Sequence, residues 1–170
     1  MAYDNKREDK VYLSLGSNLG DRKKNILNAV KQLEETLNQK VIISPFYESK
    51  AKGFDSKKDF LNICAQTQTQ IEPHEFLKII HSIEHKLGRI RVENSGYIDR
   101  IIDIDILFYG QRIIDTKNLK VPHPKIYERK FVLIPLRDVA KNLVDPRTRM
   151  NIRRLIEDCN DKSNLLLCEN

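Results

Sequence analysis

The sequence predicts an α+β fold, a mainly antiparallel sheet with helices packed on it. Three observations carry the prediction. Two segments repeat apolar residues at helical spacing, one after Asp21 and one after Pro73. Shorter stretches around them alternate apolar and polar residues or run apolar, as strands do. The stretch D-R-I-I-D-I-D-I-L-F-Y-G, Asp99 to Gly110, then reads as one more strand that is largely buried. In chain order these give β-α-β-β-α-β, the order of a ferredoxin-like sheet.

Each element has its own signal. V-Y-L-S-L-G-S alternates from Val11 and leads into the glycine-bearing turn L-G-S-N-L-G. Asp21 offers an N-cap to a helix whose Ile26, Val30, Leu33 and Leu37 form one stripe. V-I-I-S-P-F-Y is read as a second strand, K-A-K-G-F-D-S-K-K as an exposed loop and F-L-N-I-C-A-Q-T-Q-T as a third strand. Pro73 suits the first turn of the second helix, whose stripe is Phe76, Ile80, Ile83 and Leu87, with Gly88 as its stop. Beyond Gly110, Y-G-Q-R turns into a short edge over Arg112–Ile114, and I-R-R-L-I-E-D forms a late helix. No repeat or linker divides the chain, so one domain over 1–170 is expected, with a folded core of about 11–158 and a loose tail after it.

Bulk properties narrow the function. With 170 residues, 40% hydrophobic and 32% charged, the chain is long enough to bury a core and suits a soluble globular protein, and no apolar run is long enough to span a bilayer. The start, M-A-Y-D-N-K-R-E-D-K, is too charged for a signal peptide. Cys64, Cys159 and Cys168 show neither C-x-x-C nor zinc spacing, which predicts a cytoplasmic, disulfide-free protein. The net charge of +6 suits an anionic ligand and is equally common in proteins that bind none.

The Asp99–Gly110 stretch poses a chemical question. Alternation puts Asp103, Asp105, Leu107 and Tyr109 on one face and Ile102, Ile104, Ile106 and Phe108 on the other. Two carboxylates roughly 7 Å apart on one strand face repel each other unless cations relieve them. Hard Mg²⁺ prefers carboxylate, water and phosphate oxygens, so a D-x-D face with a nucleotide is a plausible site. The spacing E-x4-R-x-R-x8-R-x2-D-x-D adds Arg89, Arg91 and Arg100 as forked phosphate donors. Glu84 is odd, because a carboxylate in the last turn of a helix faces the negative end of the macrodipole. Singly, each feature is ordinary: D-x-D is most often a solvated strand face, V-P-H-P a rigid turn, and Phe60 and Phe131 core aromatics. Their joint presence in one order is what points to a site.

Two other classes are weaker. An RNA-binding module of the same strand order needs aromatics in a K/R-G-F/Y-G/A-F-V-x-F/Y run, which the sequence lacks. A nucleotidyltransferase would place its G-S and D-x-D close together, whereas Ser17 and Asp103 lie far apart.

Taken together, L-G-S-N-L-G-D-R, F-L-N, E-x4-R-x-R, R-x2-D-I-D-I-L-x-Y-G, V-P-H-P and R-x-F-V-L-x-P-L resemble the 6-hydroxymethyl-7,8-dihydropterin pyrophosphokinases of folate biosynthesis, from about Val11 to about Ala140. The resemblance implies transfer of pyrophosphate from ATP to 6-hydroxymethyl-7,8-dihydropterin by a cytoplasmic monomer that engages neither nucleic acid nor membrane. It implies that Asp103 and Asp105 hold two Mg²⁺ ions with ATP, and that Arg89 and Arg100 clamp the transferred group. Arg91, His123 and Arg129 would bind the triphosphate, with His81, Glu84 and Ile106 also at the ATP site. Phe60 and Phe131 would sandwich the pterin, Asn62 and Ser49 would read its polar edge, and Tyr97 would close over it. Three stretches depart from the family pattern, one of them at Asn118 and Lys120 before V-P-H-P, which suggests an altered basic contact to the nucleotide. E-S-K-A-K-G lacks the proline often found there, and Y-I-D-R replaces an aromatic-Gly-Pro-Arg run.

Overall fold

Val11, Leu13 and Leu15 alternate along β1 (Asp9–Ser17) and are fully buried, as befits an interior strand of the sheet. The computed structural model describes residues 8–90 and 98–169. β1 pairs antiparallel with β4 (Phe60–Thr69) on one side and β5 (Asp103–Tyr109) on the other. β3 (Tyr47–Ser49) pairs with the far side of β4, and β8 (Leu165–Leu167) pairs with β3. The order β5-β1-β4-β3-β8 is a ferredoxin-like sheet with one strand added at its edge.

Helix α1 (Arg22–Leu37) starts where the Asp21 carboxylate accepts the Lys24 N–H at 3.0 Å and ends at Asn38 in the left-handed conformation. Helix α2 (Pro73–Lys86) has Pro73 at its first position, and Gly88 follows it at φ +92°. The stripes Ile26, Ala29, Val30 and Leu33 of α1 and Phe76, Ile80 and Ile83 of α2 cover one sheet face, on Leu13, Ile63, Ile104 and Ile106. The opposite face is covered over part of its length by α3 (Lys130–Val139) and α4 (Ile152–Glu157), which bury Tyr12, Cys64, Leu107 and Phe108. A two-strand ribbon, β6 (Ile114–Asp115) with β7 (Lys120–Val121), completes the fold. Among the described residues no helix is long and apolar enough to cross a membrane.

Four expectations need correction. V-I-I-S-P-F-Y is not one strand: β2 (Ile42–Ile43) ends before Pro45, which has no N–H to give a ladder, and β3 starts at Tyr47. Ser44 bridges the break by donating its N–H to the Cys64 carbonyl at 2.9 Å and accepting the Cys64 N–H on its hydroxyl. The alternation along Asp99–Gly110 also fails at its end. Leu13 pairs with Ile106 but Tyr12 pairs with Phe108, so Leu107 is an inserted bulge residue and the later side chains change faces. Phe108 therefore meets Tyr12 edge-on under α3, while Tyr109 packs against Phe76 under α2. The edge expected over Arg112–Ile114 lies one step later, at β6. Finally, the tail after residue 158 is not loose, because β8 extends the sheet and Cys168 donates its N–H to the Phe46 carbonyl at 2.9 Å.

Ile106 is 4% exposed and faces the α1–α2 core. Ile106→Ala is expected to lower unfolding free energy by about 2–5 kcal/mol, seen as a lower urea midpoint at unchanged slope. Unchanged stability would put this side chain outside the core.

Candidate active site

Register places the site on the uncovered half of the second sheet face. Asp103, Gly16 and Asn62 lie in a row across β5, β1 and β4, with Asp105, Ser14 and Cys64 in the next row. Gly16 is the low point of this floor. A Cβ there would meet the Asn62 Oδ1 at 3.1 Å, so glycine leaves room for that amide beside the carboxylates. The Asn62 amide is buried and donates to the Ser49 hydroxyl at 3.0 Å and the Tyr47 carbonyl at 3.4 Å. Phe60, Phe54 and Phe131 line the walls above it. Phe54 and Phe60 meet edge-to-face at 6.2 Å.

The charged end of the cleft is a connected chain. Glu84 is 1% exposed and accepts the Ile104 N–H at 2.8 Å. That N–H points to the edge of β5 away from β1, so a carboxylate from α2 supplies the partner that no strand among the described residues does. Glu84 also accepts from Arg89 Nη1, which in turn donates to Asp103 Oδ1. Asp103 Oδ2 accepts from Arg100 Nη1 at 2.7 Å. Arg100 is fixed in two further ways. Its N–H donates to the buried Asn18 side chain at 2.8 Å and its carbonyl accepts the Asn18 N–H at 3.1 Å, while its guanidinium lies 5.8 Å from the Phe60 ring centre.

Asp105 has Arg129 at 3.6 Å and His123 at 3.9 Å. Burial pushes its carboxyl above the ordinary range, the Asp103 charge adds to the shift, and Arg129 opposes it. His123 accepts the Lys125 N–H on Nδ1 at 3.2 Å. Burial, with Arg129 nearby, lowers its pKa to about 4, so at neutral pH the imidazole carries its proton on Nε2, facing Asp105. The donor set fits a hard divalent cation. Two carboxylates face the cleft two residues apart on one strand, and the Asp103 charge adds to burial in raising the Asp105 proton affinity. Such a pair leaves coordination positions for phosphate and water, the usual completion for Mg²⁺.

The structure thus brings together Arg89, Arg100, Asp103, Asp105, His123 and Arg129 at one end of the cleft and Ser49, Phe60, Asn62 and Phe131 at the other. His81 borders a neighbouring hollow at the end of α2, with Glu84, His85 and Arg89. Arg91 and Tyr97 lie outside the described residues. Ile106 points its side chain into the core, and the Glu84 carboxylate, which borders the same hollow as His81, accepts from Ile104 and Arg89 and braces both. Residues not singled out from sequence include Ser14, Gly16, Asn18, Lys50, Lys52 and Phe54. The G-S-N of the first loop held the signal for Asn18, since a polar residue directly after an apolar strand is a frequent anchor for a neighbouring loop.

If Glu84 is the brace of this chain, Glu84→Leu leaves Arg89 half-neutralised and the Ile104 N–H without an acceptor. A stability loss of about 3–5 kcal/mol is expected in urea denaturation, and less for Glu84→Gln, which keeps an acceptor. A Glu84→Leu protein as stable as the wild type would show that Arg89 is held by other means.

Comparison with known proteins agrees with this geometry. Residues 12–141 match the family described as 7,8-dihydro-6-hydroxymethylpterin-pyrophosphokinase. The chain is 43% identical over 143 residues to the 2-amino-4-hydroxy-6-hydroxymethyldihydropteridine pyrophosphokinase of Aquifex aeolicus, covering 84% of this chain and 88% of that protein. It is 42% identical over 147 residues to the folic acid synthesis protein FOL1 of Dictyostelium discoideum, covering 85% of this chain but only 22% of the longer protein. In the folic acid synthesis protein of Pneumocystis carinii the corresponding share is 20%. The crystal structure of Plasmodium falciparum HPPK-DHPS with pteroate shares the fold at a TM-score of 0.69 and 18% identity, over 89% of this chain and 42% of that one. With the sheet order, the D-x-D strand and the match over residues 12–141 in agreement, the chain belongs to the 7,8-dihydro-6-hydroxymethylpterin-pyrophosphokinase family.

Proposed function

We propose that the protein uses ATP and Mg²⁺ to transfer a pyrophosphoryl group to the hydroxymethyl oxygen of 6-hydroxymethyl-7,8-dihydropterin, a step in folate biosynthesis. The observation that carries this reading is the division of one cleft into a charged end, built on Asp103 and Asp105, and a flat apolar end floored by an amide. An alcohol joined to a planar heteroaromatic ring needs both. The ring would stack between Phe60 and Phe131, with its donor and acceptor edge on Asn62 and Ser49. The triphosphate would lie along Arg91, Arg129 and His123, with His81 toward the nucleoside. The same reading puts the enzyme in the cytoplasm, where ATP is available, acting as a monomer on small molecules.

Asp103 and Asp105 would hold two Mg²⁺ ions, which on binding neutralise phosphate charge and draw the phosphates into line. The chain's own residues do the remainder. The hydroxymethyl oxygen attacks the β-phosphorus, its bond to that phosphorus forms as the bond to the α-phosphate oxygen breaks, AMP departs and the hydroxyl proton is released. Arg89 and Arg100 sit beside Asp103, where charge shifts from the β-phosphoryl group to the leaving AMP. They are already oriented by Glu84 and Asn18, so little reorganisation accompanies the reaction.

The direct test is incubation with ATP, Mg²⁺ and the pterin alcohol. AMP and the pterin diphosphate are the expected products, and ADP or no turnover would overturn the proposal. Asp105→Asn is expected to lower turnover by about 10²-fold or more while stability holds or rises, since a like-charge repulsion is gone; an active, unstable variant would contradict the metal role. Arg100→Ala should reduce kcat by about 10²–10³-fold, the scale for one preorganised donor. ATP affinity should move much less, and Arg100→Lys should recover only part because it lacks the fork. Collapse of ATP affinity with kcat preserved would make Arg100 a ground-state clamp.

A further inference from the structure

Asp161 lies beyond the stretch matched by the family, and the chemistry proposed above makes no use of it. Yet its side chain is only 5% exposed. Its Oδ2 accepts the Lys130 N–H at 3.0 Å and stands 2.8 Å from Lys52 Nζ, while its Oδ1 accepts the Ser163 N–H at 3.0 Å. Lys52 Nζ donates in addition to the Glu128 carbonyl. One carboxylate therefore joins three segments that are distant in sequence.

Two of those segments end in the cleft. Lys130 opens α3 between Arg129 and Phe131, both of which line it. Lys52 belongs to the loop that contributes Lys50 and Phe54 to the opposite wall. Gly53, at φ +88°, bends the chain between Lys52, which lines the cleft and pairs with Asp161, and Phe54, which packs on Phe60. Asp161 also places a negative charge at the N-terminus of α3, where it complements the macrodipole. Burial pushes its proton affinity up, but the bonds from Lys52, Ser163 and Lys130 together outweigh burial and hold the carboxyl below the ordinary range.

We propose that Asp161 is a positioning residue for the aromatic end of the cleft: it clamps the loop carrying Phe54 to the start of α3, fixing the spacing between Phe54 and Phe60 on one wall and Phe131 on the other. The inference rests on reading that end as the pterin slot. It assigns the segment after α4 a part in pterin recognition. The residues near the reacting phosphorus hang instead on β5, Glu84 and Asn18, so the clamp governs ring affinity and leaves the chemical step alone.

Asp161→Asn keeps an acceptor for the Lys130 N–H and removes the ion pair with Lys52, so folding should be little affected. Calorimetry with 6-hydroxymethylpterin is expected to show affinity weakened about three- to tenfold, the range of a partly buried ion pair coupled to its neighbours. Mg²⁺–ATP affinity, kcat at saturating pterin and Tm should stay as in the wild type. Lys52→Met should weaken pterin affinity at least as far, since Lys52 also lines the cleft, and the double variant should be no weaker than Lys52→Met alone. Unchanged pterin affinity, full additivity of the two substitutions, or pterin and ATP affinities falling together would each overturn the clamp. Because binding is read without turnover, a wild type that binds the pterin but forms no AMP would defeat the reaction proposed above and leave the clamp standing.

Discussion

A row of alternating charge at the open edge of β5 holds the rest of the site in place: Glu84, Arg89, Asp103 and Arg100. A strand at a sheet edge has backbone donors without partners, and a carboxylate at a helix C-terminus is opposed by the macrodipole. Each is unfavourable alone. Set against each other they cancel, since Glu84 takes the Ile104 N–H that β1 cannot reach and Arg89 gives the Glu84 carboxylate a counter-charge. Buried ion pairs of this kind add little net stability compared with an apolar pair of equal size, but they tolerate the loss of no member. Their value here is positional. α2 is locked to β5, and two guanidinium groups are aimed at one carboxylate before any ligand arrives.

The sheet then divides its labour along the strands. Its first face is mostly apolar and belongs to α1 and α2. The second face changes character along the same three strands: Tyr12, Cys64 and Phe108 are covered by α3 and α4, whereas Gly16, Asn62 and Asp103 lie open. The Leu107 bulge falls on the apolar side of this boundary. By inserting one residue it lets Leu107 and Phe108 both pack toward α3 and returns Tyr109 to α2, where its hydroxyl reaches the Ile71 carbonyl. Strict alternation would have sent Phe108 to the other core and Tyr109 beneath α3.

This boundary explains what the sequence revealed and what it withheld. Element type and order were legible because helical stripes and strand alternation repeat over many residues, and the caps at Asp21, Pro73 and Gly88 are local signals. The D-x-D face and its arginines were legible as chemistry, because like charges on a buried strand demand an explanation wherever they occur. The strand break at Pro45 had its cause in view in the proline. The bulge did not, because it depends on how β5 registers against β1, a non-local fact. For the same reason Gly16 looked like a turn glycine until its cross-strand neighbour Asn62 was known. Ile106 and Glu84 were drawn to ATP by resemblance, and their burial shows that residues of such a motif also carry the packing and bracing of the site.

The two ends of the cleft are therefore held by different physics. The charged end is built from a strand, a helix terminus and a strand-following asparagine, all within the stretch that the family shares, and its geometry depends on buried charges that must remain as a set. The aromatic end is built partly from the loop around Lys52 and Phe54, whose place depends on one carboxylate in the segment leading to β8. A change in that loop alters the ring slot without disturbing Asp103 or its arginines. It follows that the departure E-S-K-A-K-G falls where the fold can absorb it: the loop gives up the rigidity a proline would lend its backbone and gains, at Lys52, a side chain anchored from outside the loop. Rigidity lost in the backbone is restored by a tertiary contact, and the chemistry at the other end of the cleft is untouched.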